Sequence, residues 1–200
     1  MSEKIPCKLV SWQDIQALAR ELAFTVRSSG FRPDIILAIG RGGYIPARLL
    51  SDYLNISNLT EFKVEHYEGT DKAATARVRY PLVAAVNGLR VLVVDDVTDT
   101  GDSFDVALAH VRSRGTPAEL RTAVLHHKSI SPFVPDYFAD TIESWRWVIY
   151  PWARIEDLMA LIGKMADRPH GAEAIAGRLR ADNGIRVPLA VIRDVLELMT

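Results

Sequence analysis

The chain of 200 residues carries a single cysteine, Cys7. An intrachain disulfide and a cysteine-based zinc site are therefore both excluded. No apolar run approaches the ~18 residues that a membrane-spanning helix needs. Residues 1–10 mix charge and proline with short apolar stretches, unlike a secretory signal, so the cytoplasm is the expected compartment. The formal net charge is −1, which gives no reason to expect a nucleic-acid coat or a membrane-surface protein. Two common phosphate motifs are missing. There is no G-x-x-x-x-G-K-S/T and no G-x-G-x-x-G behind a strand, which argues against a P-loop NTPase and a Rossmann dehydrogenase. Internal repeats and low-complexity tracts are also lacking. The histidines are scattered except His126 and His127. Neighbours on a strand point to opposite faces, so that pair is read as two strand-end residues and not as a chelate.

What is present is a globular composition, 48% hydrophobic and 24% charged, with room for one ordinary domain and a small appendage. Ser11 caps a helix over 11–29, in which Ile15, Leu18, Ala19, Leu22 and Val26 recur at helical spacing. Residues 34–39 read as a buried strand, followed by Gly40-Arg41-Gly42-Gly43 and a helix over 45–54. The stretch 64–82 starts strand-like and turns polar. The clearest buried strand is 90–94. A polar run over 95–103 and a helix to about 113 follow. Further strands are expected at 120–125 and 145–150, with a loop over 132–140 leading into a short one. This alternation predicts an α/β fold, a parallel sheet with helices on both faces. In such sheets ligands sit beyond the carboxyl ends of the strands, where loops 40–43 and 95–103 both fall. Three short helices, 155–166, 171–181 and 188–199, form a C-terminal helical appendage. The expected domains are 1–153 and 154–200.

The run from Val91 to Ser103 joins a buried strand to two carboxylates and a hydroxyl-rich turn that opens a helix. N–H groups at a helix start, together with the positive dipole end, make an anion site. Gly101 admits a close backbone approach, and Thr98, Thr100 and Ser103 add hydroxyls. A loop built for phosphate alone would avoid Asp95, Asp96 and Asp99. These acids fit a ligand that also brings hydroxyls or Mg²⁺, so the pattern asks for a sugar phosphate with a metal. At 40–43 the glycines free N–H groups for a second anion, and Arg41 adds a fork of donors.

The run 91–103 resembles the phosphoribosyl-pyrophosphate signature of type I phosphoribosyltransferases. The resemblance covers about residues 10–153 and implies that family's parallel-sheet core. It implies that Asp95 and Asp96 bind the ribose hydroxyls and Mg²⁺. Thr98, Asp99, Thr100, Gly101, Asp102 and Ser103 would cradle the 5-phosphate. Asp99 stands where 6-oxopurine members carry the carboxylate that relays the base proton. Gly40, Arg41, Gly42 and Gly43 resemble the pyrophosphate loop, whose frequent non-proline cis peptide would fall at Gly40–Arg41. Lys128 matches the lysine that reads O6 of the base. The run Trp147-Val148-Ile149-Tyr150-Pro151-Trp152 resembles the W-x-x-x-P-W ending of bacterial xanthine-guanine and archaeal purine enzymes. Trp147 would stack on the purine, with Trp145 as the alternative ring, and the backbone of Val148 and Ile149 would read its edge. Ala153 departs from the acid that many relatives carry there, and Asp102 makes the phosphate cradle more acidic than usual.

The resemblance implies transfer of a 5-phosphoribosyl group from phosphoribosyl pyrophosphate to guanine, hypoxanthine or xanthine in purine salvage. The partners are then phosphoribosyl pyrophosphate and a purine base, with no membrane, no expected nucleic acid, and a homo-dimer as the usual assembly. Residues 66–80 are the lid candidate over the reacting sugar and are expected to be mobile. Two alternatives stand beside this reading. One is a transcriptional regulator that senses phosphoribosyl pyrophosphate, its tail forming a helix-turn-helix with Arg178, Arg180, Arg186 and Arg193. The other is a transferase for another nucleobase.

Overall fold

The computed structural model describes residues 4–67, 75–165 and 167–199. In chain order the elements are β1 (Cys7–Leu9), α1 (Trp12–Ser28), β2 (Ile35–Gly40), α2 (Tyr44–Leu54), β3 (Leu59–Tyr67), β4 (Thr75–Tyr80), β5 (Arg90–Thr98), α3 (Asp102–Ser113), β6 (Glu119–Lys128), β7 (Tyr137–Ile142), β8 (Trp147–Ile149), α4 (Arg154–Gly163), α5 (Ala172–Asn183) and α6 (Leu189–Leu198). They fall into two compact units, Ile15–Ser144 and the combination of Met1–Asp14 with Trp145–Thr200. The division thus comes at Trp145, ahead of the 153/154 boundary expected from the sequence, and it groups the N-terminal strand with the tail.

In the Ile15–Ser144 unit the described strands form one sheet in the order β4-β3-β2-β5-β6-β7. All pairings are parallel except β3 with β4, which is antiparallel. One face of the sheet buries Ile35, Leu37, Ile39, Val91, Val93 and Val124 with Phe104, Ala107 and Val111 of α3. Strand alternation sends Ile36, Ala38, Leu92, Val94, Ala123 and Leu125 to the opposite face. They are buried too, so both faces of the central strands are covered, as the continuous apolar runs required. Residues 68–74 of the lid candidate lie outside the described residues. Within 66–80, His66, Tyr67 and Thr75–Tyr80 belong to the antiparallel pair that extends the sheet at its edge.

The amino ends of β2 and β5 are locked together by Asp34 and Arg90. The Arg90 Nη2 and Nε donate to Oδ1 and Oδ2 of Asp34 at 2.7 and 3.0 Å, and the Arg90 N–H adds a third bond at 2.8 Å. Such a bidentate fork fixes register as well as charge. Hydrogen bonding from Arg90 holds the Asp34 carboxyl at about 2, below its ordinary 3.8. At the start of β6, Asp136 plays a similar part: its Oδ2 accepts from the N–H and hydroxyl of Thr122, both at 2.8 Å.

In the other unit β1 pairs in parallel with β8, Cys7 opposite Trp147. A capping box precedes α1: the Asp14 N–H donates to Ser11 Oγ at 3.1 Å, and the Ser11 N–H donates to Asp14 Oδ2 at 2.9 Å. The tail helices α4, α5 and α6 share a core of Leu158, Ile162, Ile175, Leu179, Ile192 and Val195 with Cys7 and Ile149. Burial is the main cause that pushes the Cys7 thiol up to about 11, so it is a packing residue and not a nucleophile. No helix among the described residues is long and apolar enough to cross a membrane.

Two outcomes follow from these contacts. Leu92 is fully buried in β5, and Leu92→Ala is expected to cost about 2–5 kcal/mol in urea unfolding. The depressed Asp34 carboxyl contributes stability above its unfolded value of 3.8, and that stability is lost as pH falls through about 2. Asp34→Asn should therefore flatten the acid limb of the urea midpoint in that window, while the wild-type midpoint falls steeply.

Candidate functional site

β2 and β5 are neighbours with Ala38 opposite Val94, so the end of β2 at Gly40 comes level with Asp96 and the loop that follows emerges beside the acids of β5. The first loop carries a cis peptide at Gly40–Arg41. Gly42 then passes directly against the acids: a Cβ there would lie 2.6 Å from Asp96 Oδ1 and 2.7 Å from Asp95 Oδ1. Gly43 is packed as tightly, with a Cβ position 2.8 Å from the Ile39 carbonyl oxygen. The glycines are thus required by two adjacent walls, one of backbone and one of carboxylate. Arg41 is exposed on the loop.

β5 runs further than the sequence suggested, through Thr98, and takes Asp95 and Asp96 into the strand. Asp95 is buried, and its carboxyl is pushed well above the ordinary range, first by desolvation and then by the Asp96 charge. The Asp96 N–H donates to Asp95 Oδ1 at 2.9 Å. At the end of the strand Thr98 stands opposite His127, and Thr98 Oγ1 lies 2.8 Å from His127 Nδ1. Burial holds the His127 imidazole below its ordinary value, which favours the neutral ring as an orienting partner for the hydroxyl.

The turn 98–103 then opens α3. Gly101 is its N-cap with φ +90, a conformation that glycine adopts readily, and a side chain there would strike Phe133 Cβ. Phe133 itself stacks on Phe104, ring centroids 4.9 Å apart, so the turn is braced from behind. Thr100 Oγ1 donates to Asp102 Oδ2 at 2.8 Å. Ser103 is half-buried in the first turn of the helix.

Lys128 ends β6 and is only 2% exposed. Its Nζ lies 2.5 Å from Asp99 Oδ2. The unit Ile15–Ser144 therefore brings together loop 40–43, residues 95–103 and Lys128. Trp147, Val148 and Ile149 belong to the other unit. There Val148 and Ile149 are buried, the Ile149 carbonyl accepts from the Val10 N–H at 3.0 Å, and Trp147 is 44% exposed. The adjacent pair His126 and His127 lies buried in β6, beyond the expected strand end at 125.

Sequence reasoning missed Tyr44. Its phenol packs against Gly40, where a Cβ would come within 2.5 Å of the Tyr44 oxygen, and it donates to Glu61, the main cause of a hydroxyl pushed up to about 12. The available signal was its place directly after the glycine run, at the start of α2. Nothing local pointed to His127 as the partner of Thr98, because the two meet only through strand pairing.

The arrangement can hold two anions at adjacent turns, hydroxyls or a hard cation at Asp95 and Asp96, and a proton-relaying carboxylate beside a buried ammonium. The xanthine-guanine phosphoribosyltransferase of Idiomarina loihiensis is 32% identical over 143 residues, spanning 72% of this chain and 84% of that protein. The hypoxanthine-guanine phosphoribosyltransferase of Schizosaccharomyces pombe is 26% identical over 196 residues, spanning 78% of this chain and 95% of that protein. The crystal structure of a purine phosphoribosyltransferase from Pyrococcus horikoshii Ot3 matches with a TM-score of 0.65 at 32% identity, over 73% of this chain and 93% of that one. Residues 8–153 match the model of the phosphoribosyl transferase domain, and the chain belongs to that family.

Proposed function

We propose that this protein transfers the 5-phosphoribosyl group of phosphoribosyl pyrophosphate to a 6-oxopurine, releasing pyrophosphate, and does so with Mg²⁺ in purine salvage. The observation that carries the reading is the convergence of the Gly42 backbone on Asp95 and Asp96, with the Asp99–Lys128 pair on the neighbouring strand end. The relatives named for guanine, xanthine and hypoxanthine support a 6-oxopurine as the acceptor.

In this reading the N–H groups of turn 98–103, at the positive end of α3, hold the 5-phosphate. Gly40, Arg41, Gly42 and Gly43 hold the pyrophosphate, and Asp95 and Asp96 accept the ribose hydroxyls. Asp95 and Asp96 also fit a divalent cation. A carboxyl that desolvation, and after it a neighbouring carboxylate, drives toward protonation is a group whose charged form a cation would favour. When bound, Mg²⁺ supplies positive charge against the departing pyrophosphate. Positive charge developing on the sugar ring is stabilised by the carboxylates around it. Asp99 handles the base proton and Lys128 reads O6, and the family resemblance assigns stacking on the ring to Trp147 and the reading of its edge to backbone groups of Val148 and Ile149, of which the Ile149 carbonyl is already taken by the Val10 N–H.

A cytoplasmic homo-dimer is the assembly we propose for it. The regulator alternative gains little from the tail, where Arg178 pairs with Asp182 and Arg193 with Glu173 at 3.4 Å, which offsets the charge a DNA surface would use.

The deciding assay is pyrophosphate release from phosphoribosyl pyrophosphate and Mg²⁺ with guanine, hypoxanthine and xanthine in parallel. Turnover on at least one base is expected, and Asp99→Asn should lower kcat by about 10²–10⁴. Binding of the sugar phosphate without turnover on any base would remove the catalytic reading. A separate expectation concerns Gly42→Ala, whose methyl group meets the carboxylates at 2.6 and 2.7 Å. An overpacking cost of about 1–3 kcal/mol should appear as a rise of roughly 5- to 150-fold in the KM for phosphoribosyl pyrophosphate, with base KM unchanged.

A further inference from the structure

Trp147 and Asp157 lie on either side of residue 153, where the family match ends. The backbone of Trp147 is fixed by β1: its N–H donates to the Pro6 carbonyl at 2.8 Å, and it stands opposite Cys7 in the strand pair. The indole is fixed separately. Its Nε1 donates to Oδ1 of Asp157 at 2.9 Å. This bond takes the edge of the ring and leaves stacking to its faces.

Asp157 is held as firmly as the ring. It sits in the first turn of α4, one helical turn after Ala153, to whose carbonyl its N–H donates at 2.9 Å. The next residue, Leu158, is fully buried, and it joins Leu161 and Ile162 in the same core as Ile149. The strand that carries the ring and the helix that carries its acceptor thus share one packed layer. Burial raises the Asp157 carboxyl to about 6, the Trp147 hydrogen bond opposes that shift, and Glu156 adds to it. Partial burial of a carboxylate is unfavourable unless a partner compensates, and the Trp147 N–H is that partner.

We propose that Asp157 is a positioning residue for base recognition: it orients the Trp147 indole so that a ring face meets the purine, and the helical segment beyond the family match thereby helps to set base affinity. The inference rests on the reading of Trp147 as the stacking ring. It concerns Asp157 alone, which touches neither substrate nor reacting atoms in this account.

The test compares Asp157→Ala, which removes the acceptor, with Asp157→Asn, which keeps a carbonyl oxygen for the indole. Steady-state kinetics on the full chain would give base KM, phosphoribosyl-pyrophosphate KM and kcat for each. Asp157→Ala should raise base KM roughly 10- to 100-fold, the range for losing a hydrogen bond to a charged group. The other two parameters should stay within about twofold of the wild type, and Asp157→Asn should restore base KM. In a Trp147→Phe background, which keeps an aromatic face and lacks the donor, Asp157→Ala should have no further effect. If Asp157→Ala does not fold, Trp147→Phe alone must show the same base-selective rise. An unchanged base KM in Asp157→Ala, or an equal effect with Phe at 147, overturns the inference while wild-type turnover leaves the transferase reading standing. Absence of purine turnover in the wild type overturns both together.

Discussion

A stretch of backbone with no side chain has to lie against two carboxylates, and the rest of the site depends on that approach. Gly42 meets it because any Cβ would sit 2.6–2.7 Å from Asp95 and Asp96. The approach exists only if the end of β2 comes level with the two acids of β5, which their parallel register secures. The Asp34–Arg90 fork holds that register at the opposite end of the strands. Both faces of the two strands are buried in close-packed layers, so a slip of one residue would force both layers to repack. The site's geometry is therefore a consequence of core packing at some distance from it.

Much of this was legible in the sequence because the relevant signals are local. Apolar runs ending in Gly40-Arg41-Gly42-Gly43 and in Asp95-Asp96 identify buried strands that open into polar loops, and the fold puts both loops at the carboxyl end of the sheet. Features that arise from pairing between distant segments were not legible. β1 is three residues long, too short for a periodic signal, and it becomes a strand only by lying along β8. β4 reads as polar because it lies at the sheet's edge. The strand ends at 94 and 125 were set too early because the polar residues that follow looked like loop. Asp95, Thr98, His126, His127 and Lys128 stay in their strands because neighbours across the sheet and in the site absorb their polarity. Asp157 carries no motif at all, and its role is visible only through the indole that it touches.

The electrostatics explain how so many acids can share one turn region. Asp95, Asp96, Asp99 and Asp102 fall within a single strand end and turn, and unscreened they would repel one another and the phosphate. Three of them are offset differently. Asp95 moves toward its neutral form, Asp102 accepts the Thr100 hydroxyl, and Asp99 faces the Lys128 ammonium. The last pairing is asymmetric, with Lys128 2% and Asp99 36% exposed. A buried ammonium without a counter-charge is strongly destabilising, whereas a half-exposed carboxylate keeps access to water and ligand. Asp99 therefore has two duties: it compensates Lys128 within the fold, and it remains reachable for a proton. A base that engages both groups would replace neither interaction outright, because the lysine can share its protons between Asp99 and an oxygen acceptor. Under the proposed function, the preorganisation that receives such a base is then present in the folded chain before the base arrives, its free-energy cost met during folding and not during catalysis.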